Sequence, residues 1–123
     1  MNIYIICSVR DASNELREDL ESYTAKLERA GHNVHLPHRD TKQGGRGIEI
    51  CKQNVAAIEN ADEVHVFYCP KSQGSHFDLG AAFALRKSVV IVGDLSVPDG
   101  KSFQYVLTHW PYTEIVSQIE ERG

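Results

Sequence analysis

The chain has 123 residues, of which 41% are hydrophobic and 24% charged, and its 17 acidic against 13 basic residues give a formal net charge of −4. This length suits a single domain over residues 1–123, which buries enough surface to need no disulfide or metal for its core. The acidic balance argues against a general electrostatic surface for nucleic acid or for an anionic membrane. A few local donors are still enough to bind a small anion.

The three cysteines indicate a reducing compartment. Cys7, Cys51 and Cys69 cannot all pair within one chain, and they form no CxxC motif. No apolar run approaches the length of a membrane span, and the amino-terminal segment lacks the basic residues of a signal peptide. We therefore expect a cytoplasmic protein with neither a membrane nor a nucleic-acid partner.

The first half of the chain alternates strand-like and helical segments. Residues 3–7 predict a strand buried on both faces, and a helix follows from Ser13, with apolar side chains at helical spacing up to Gly31. A shorter strand is predicted at residues 33–36, ended by Pro37. A glycine-containing loop then leads to an amphipathic helix over residues 48–60.

The second half continues this alternation. Strands are predicted at residues 63–68 and 88–92, with a largely buried helix over 75–85 between them. A weaker strand is predicted at 105–109. The last helix is predicted from the spacing of Ile115, Val116 and Ile119.

Strands alternating with helices favour a parallel sheet with helices on both faces. We predict an α/β domain of the flavodoxin-like or Rossmann-like kind, a three-layer sandwich with a four- or five-stranded parallel sheet. Ligands bind such sheets outside the carboxyl ends of the strands, where the strand order reverses. Functional residues are therefore expected after the first and third strands.

The segment after the first strand is suited to an anion. Ser8 supplies a hydroxyl donor and Arg10 a bidentate cation, on a turn that precedes a helix. The structural alternative is that Arg10 pairs with Asp11 or a nearby glutamate and that Ser8 only turns the chain.

The segment after the third strand has the same character. Ser72, Gly74 and Ser75 form a donor-rich approach to a helix N-terminus, which attracts phosphate or carboxylate. Asp78 is expected in the first helical turn, facing the crevice, where acidic residues are also common for purely structural reasons. Two such segments at one crevice indicate a binding site more strongly than either alone.

Three segments resemble the nucleoside 2-deoxyribosyltransferase family, and most closely its 2′-deoxynucleoside 5′-phosphate N-hydrolase branch. They are residues 6–10 (ICSVR), 58–64 (IENADEV) and 72–85 (SQGSHFDLGAAFAL). The resemblance spans about residues 3–92. It implies cleavage of the N-glycosidic bond of a nucleoside or its 5′-monophosphate by a carboxylate that attacks C1′, without a cofactor. The glycosyl-enzyme is then resolved by another base or by water.

The resemblance assigns roles to individual residues. Asp78 stands at the nucleophile's position, where the family has glutamate, and Asn54 stands where the family has an aspartate that orients the sugar or assists the base. An amide donates and accepts hydrogen bonds but is not a general acid or base. Ser8, Arg10 and Ser72 match positions that hold the 5′-phosphate.

Further residues complete the predicted substrate site. Gly74 and Ser75 join it from the argument on the helix N-terminus, and Tyr4 and His76 are expected to line the base or sugar pocket. The resemblance also implies a homodimer or a larger assembly of this chain.

Two alternatives remain open. The changes at Asp78 and Asn54 also fit a nucleotide-binding module that has kept the pocket and lost catalysis. His35, His38 and Asp40 form a weak candidate metal cluster without further ligands nearby. Arg39 and Asp40 would otherwise lie on a loop over the crevice.

Overall fold

The computed structural model describes residues 1–10, 12–111 and 113–116. Its strands form one all-parallel five-stranded sheet, which confirms the predicted α/β flavodoxin-like architecture. The strands are β1 (Asn2–Ile6), β2 (Asn33–His35), β3 (Glu63–Val66), β4 (Ser88–Val92) and β5 (Thr113–Val116).

Helices connect successive strands. They are α1 (Asn14–Arg29), α2 (Pro37–Asp40), α3 (Gly47–Asn60), α4 (Gln73–Ala84) and α5 (Phe103–His109). The Ser13 hydroxyl caps α1 by accepting a hydrogen bond from the backbone N–H of Leu16 at 3.0 Å. Beyond the end of α1, Gly31 adopts a φ of 98°, which glycine tolerates without strain. None of the described helices is long and apolar enough to cross a membrane.

Two hydrophobic layers cover the sheet. Along β1, Ile3 and Ile5 pack with α1, whereas Tyr4 and Ile6 pack with α3, α4 and α5 on the opposite face. This alternation follows from the two-residue period of a strand. Leu79 of α4 is fully buried on the second face and anchors that helix to the sheet.

The order of the strands, β2-β1-β3-β4-β5, reverses direction at β1. The chain first moves from β1 to β2 at one side and then crosses to β3 at the other side of β1. Ile6 pairs with Val66, and the backbone N–H of Phe67 donates to the Ile6 carbonyl at 2.8 Å. The segments that follow β1 and β3 therefore leave the sheet side by side.

The carboxyl-terminal part of the prediction is wrong. Residues 103–109 form α5 rather than a strand, because the Ser102 hydroxyl caps the backbone N–H of Tyr105 and Leu107 turns into the core. Residues 113–116, predicted as the start of a helix, form β5 along the edge of β4. Ile119 lies outside the described residues. Pro37–Asp40 form a short helix, α2, whereas the sequence predicted a loop for Arg39 and Asp40.

Candidate active site

Asp78 occupies a buried position on α4. The helix begins at Gln73 after the Ser72 cap, so Asp78 lies in the second turn. The sequence predicted the first turn. Its side chain is only 4% exposed and lies on the face of the sheet that also holds Tyr4. The extra turn carries the carboxylate away from the helix end and towards β1.

A hydrogen bond joins Asp78 to strand β1. The hydroxyl of Tyr4, a fully buried residue of β1, donates to Asp78 Oδ2 at 2.8 Å. Asp78 Oδ1 is also buried, and it has no hydrogen-bond partner among the residues that the structure describes. One carboxylate oxygen is thus held in place, and the other is unused.

Burial dominates the electrostatics of this pair. Desolvation raises the pKa of Asp78 to about 6, although the hydrogen bond from Tyr4 acts in the opposite direction by stabilising the charged form. Burial and the Asp78 carboxylate raise the pKa of Tyr4 far above its usual range, and the same causes raise the pKa of the Cys7 thiol to about 12. Near neutral pH, Asp78 is therefore the group of the three that ionises.

A chain of ring stacking and hydrogen bonds leads from Tyr4 to Asn54. The ring of His35 stacks on Tyr4, with centroids 5.3 Å apart, and His35 Nε2 lies 2.7 Å from the Thr41 hydroxyl. That hydroxyl donates to Asn54 Oδ1 at 2.8 Å, so His35 Nε2 is the donor in its own contact with Thr41. Burial lowers the pKa of His35, which favours the neutral ring. Asn54 is therefore held through its carbonyl oxygen.

Three of the predicted anion ligands lie at the carboxyl ends of β1 and β3. Arg10 is exposed, and no hydrogen bond or ion pair engages it within the described part of the chain, while Ser8 is half-buried. Ser72 accepts the backbone N–H of Ser75 at 3.1 Å, which leaves the hydroxyl proton of Ser72 available to a ligand. The backbone N–H of Gly74, in the first turn of α4, has no acceptor within the helix.

Ser75 stands apart from this exposed group. Its side chain is fully buried, because it belongs to the first turn of α4 and turns towards the sheet. Ser75 Oγ has no hydrogen-bond partner among the described residues. The structure places Ser75 Oγ in the interior rather than among the exposed donors.

His76 belongs to a small aromatic cluster. Its Nδ1 donates to the Ser72 carbonyl at 2.7 Å, and its Nε2 lies 2.8 Å from the Tyr68 hydroxyl. The ring of Phe103 packs edge-on against His76, with centroids 4.8 Å apart. Tyr68 and Phe103 were not selected from the sequence, because only the fold brings the end of β3 and the start of α5 to α4.

The candidate metal cluster is not assembled. Arg39 pairs with Asp40 at 2.8 Å and with Glu28 at 3.2 Å, and Asp40 also caps the backbone N–H of Leu36. His35 is engaged by Thr41. Across residues 1–10, 12–111 and 113–116, no three His, Cys, Asp or Glu side chains are grouped to hold a metal ion.

One concavity lies close to the site, and a second lies towards the amino ends of β1 and β2, away from it. One, of about 160 Å³, lies at the carboxyl ends of β3 and β4 and is lined in part by Tyr68 and Cys69. The other, of about 380 Å³, lies between β2 and α3 and includes His35. Asp78 lines neither of these two concavities.

Solved structures share this fold. A 2-deoxyribosyltransferase from Bacillus psychrosaccharolyticus is 20% identical, with a TM-score of 0.65 over 79% of this chain and 77% of its own. A CMP N-glycosidase from Clostridium botulinum is 17% identical, with a TM-score of 0.69 over 99% of this chain and 95% of its own. A conserved protein from Enterococcus faecalis V583 is 14% identical, with a TM-score of 0.68 over 98% and 93% of the two chains.

These structures are consistent with the nucleoside 2-deoxyribosyltransferase family, which the sequence segments resemble. At these identities, the comparison shows the shared fold. No protein-family model matches the chain, and no curated protein has a significantly similar sequence. The roles of individual residues therefore depend on the geometry of the site.

Replacing Asp78 with asparagine is expected to stabilise the protein at neutral pH. The pKa of Asp78 is about 6 when folded, against an ordinary value of 3.8, so folding stability is lost as the pH rises through this range. The Asp78→Asn variant should gain up to about 3 kcal/mol at pH 7.5 and nothing below about pH 4. Thermal unfolding followed by circular dichroism at both pH values measures the difference. A variant that melts no higher than the parent at pH 7.5 contradicts this account.

Proposed function

We propose that this protein cleaves the N-glycosidic bond of a nucleoside 5′-monophosphate, or transfers its base, with Asp78 as the carboxylate on which the reaction depends. The observation that carries the proposal is a buried carboxylate, oriented by Tyr4, on the same helix whose N-terminus faces the anion-binding segment. The 2-deoxyribosyltransferase and the CMP N-glycosidase that share the fold support this reaction class.

The environment of Asp78 suits a reaction at C1′. Cleavage of an N-glycosidic bond develops positive charge on the sugar, as in the oxocarbenium-like transition states of glycosidases. A carboxylate in a desolvated site stabilises that charge more strongly than one in water. Tyr4 holds one oxygen of Asp78 at 2.8 Å and so limits the reorientation that the reaction would otherwise require.

The phosphate is bound by Ser8, Arg10 and Ser72, together with the backbone of Gly74. Arg10 supplies the charge, since no described residue pairs with it. The N-terminus of α4 adds unpaired N–H groups and the positive end of the helix dipole. A substrate anchored in this way extends towards Asp78, which lies one turn further along α4.

Asn54 and His76 contact the sugar or the base. Asn54 Oδ1 is occupied by Thr41, so its amide N–H groups are the atoms offered to a substrate. His76 is fixed by Ser72 and Tyr68, and its ring packs against Phe103. Both residues act by hydrogen bonding and shape, and neither replaces Asp78.

The active form is a homodimer. Phe77, Gly80 and Ala84 recur on one exposed face of α4, and Phe77 is 47% exposed. This stripe of one aromatic and two small residues lies beside the buried Asp78, where a second copy of the chain would cover the site.

Base release should depend on Asp78. The protein is incubated with a panel of ribo- and deoxyribonucleoside 5′-monophosphates, and free base is measured by chromatography. Asp78→Ala, which removes the carboxylate, is expected to lower the rate at least about 100-fold. Saturable binding without base release from any nucleotide would contradict the enzyme and favour the nucleotide-binding module.

The pH dependence separates a reacting carboxylate from a structural one. Because the charged form of Asp78 is required, kcat/KM is expected to fall as the pH drops below about 6. Tyr4→Phe removes a hydrogen bond that lowers this pKa, so the acid limb should move to higher pH. If the acid limb of the kcat/KM profile does not move in Tyr4→Phe, the assignment of that limb to Asp78 is contradicted.

Arg10→Ala tests the phosphate site. Loss of a charge-assisted contact should weaken monophosphate binding by about 10- to 100-fold and leave the affinity for the corresponding nucleoside unchanged. Isothermal titration calorimetry measures both. Arg29→Ala, at the exposed far end of α1, is the matched control and should bind both ligands as the parent does. Equal losses for nucleotide and nucleoside contradict a phosphate contact.

The oligomeric state is tested on the exposed face of α4. Light scattering coupled to size-exclusion chromatography should give twice the 13.8 kDa of one chain. Phe77→Asp, which places a charge on the apolar stripe, is expected to shift the protein to the monomer, whereas Glu18→Lys on the exposed face of α1 should leave the dimer intact. A parent protein that elutes as a monomer at micromolar concentration overturns the dimer.

A further inference from the structure

Two buried polar atoms on one face of α4 lack partners among the described residues. Ser75 Oγ belongs to a fully buried side chain, and Asp78 Oδ1 to one that is 4% exposed. Residues three apart on a helix are neighbours, so the hydroxyl and the carboxylate oxygen lie on adjacent turns of the same face. Buried polar atoms are rarely left unpaired, and a hydroxyl beside a carboxylate offers the donor and acceptor that a bridging water needs.

The length of Asp78 limits what its carboxylate can touch. Its Oδ2 is held by Tyr4, which leaves Oδ1 to act, and the neighbouring Leu79 is packed in the core. An aspartate is one methylene shorter than the glutamate of the resembled family, a difference of about 1.5 Å. Attack on C1′ requires an approach to ~3–3.5 Å, and a hydrogen-bonded water extends the reach of the carboxylate by about 2.7 Å.

We propose that Asp78 acts as a general base on a water molecule held between Asp78 Oδ1 and Ser75 Oγ, and that this water attacks C1′ directly. The inference rests on the proposed N-glycosidic cleavage and deepens it. It assigns hydrolysis to this chain, rather than base transfer, and makes Ser75 the positioning residue for the attacking water.

The step balances in atoms and electrons. The water transfers a proton to Asp78 Oδ1 while its oxygen forms a bond to C1′. The bond between C1′ and the base nitrogen breaks, its electron pair leaves with the base, and the base takes up a proton from solvent. Asp78 then returns its proton to solvent. One nucleotide and one water give one sugar 5-phosphate and one free base.

The route has a stereochemical signature. A single displacement inverts C1′, so a β-nucleotide gives the α-anomer of the sugar phosphate as the first product. A glycosyl-enzyme formed on the carboxylate would retain the β configuration and would also pass the sugar to an added base. The raised pKa of Asp78 agrees with a base that works near neutral pH.

The test combines product anomer and base exchange. The sugar phosphate is observed by proton NMR at early times, before mutarotation, and a second free base is added at millimolar concentration. The α-anomer without base exchange is the expected result. Base release with the β-anomer, or formation of a new nucleotide, overturns the water route while the proposed function stands. No base release from any nucleotide overturns both.

Variants of Asp78 and Ser75 test the role of each residue separately. Asp78→Glu restores the missing methylene and is expected to begin base exchange and to accumulate a covalent adduct visible by mass spectrometry. Ser75→Ala should lower kcat about 10- to 100-fold with KM unchanged, because it removes a contact to the water and none to the nucleotide. Ser88→Ala, an exposed serine at the amino end of β4, is the control and should change neither constant. A Ser75→Ala variant with unaltered kcat overturns the role of Ser75.

Discussion

The hydrogen bond between Tyr4 and Asp78 is the contact on which the proposed chemistry depends, because it joins strand β1, where the strand order reverses, to the helix that carries the carboxylate. Its two residues lie 74 positions apart in the chain and meet in the buried layer between the sheet and α4. Burial makes the charged carboxylate costly, and the tyrosine hydroxyl offsets only part of that cost. The result is an acid that ionises near pH 6 with one oxygen fixed and the other unused. A surface aspartate has neither property.

The topology of the sheet explains the position of the proposed anion site. Reversal of the strand order at β1 leaves room between the segments after β1 and β3, and α4 begins at this point. The exposed Arg10 and the start of α4 concentrate positive potential there, although the whole chain carries a formal charge of −4. A net charge describes long-range attraction. It does not describe the few donors that bind one phosphate.

This chain has Asp78 and Asn54 at two positions where the resembled family has glutamate and aspartate. The surroundings of Asn54 suit an amide. Asn54 is held by Thr41, which in turn contacts His35, and the ring of His35 stacks on Tyr4. The asparagine is thereby part of one connected network with Asp78 rather than an isolated substitution. An amide in this position carries no charge and needs no neutralising partner. The network therefore supports a site with a single ionising carboxylate.

Local patterns in the sequence determined most of the elements: the buried strands and the capped helix α1 followed from periodicity and capping residues. Donor types selected the segments after β1 and β3 as the proposed anion site. Local patterns failed at residues 103–109 and 113–116, which form α5 and β5. The second of these segments completes the sheet by pairing with β4. The family resemblance selected Asp78, but only the start of α4 at Gln73 decided that this residue lies in the second turn, and that Ser75 faces the core. The stacking of Tyr4 on His35 also required the register of β1 with β2, which pairs these two residues. Residue types and local spacing are properties of the chain, whereas burial, and with it the pKa of Asp78, exists only after distant segments have packed together.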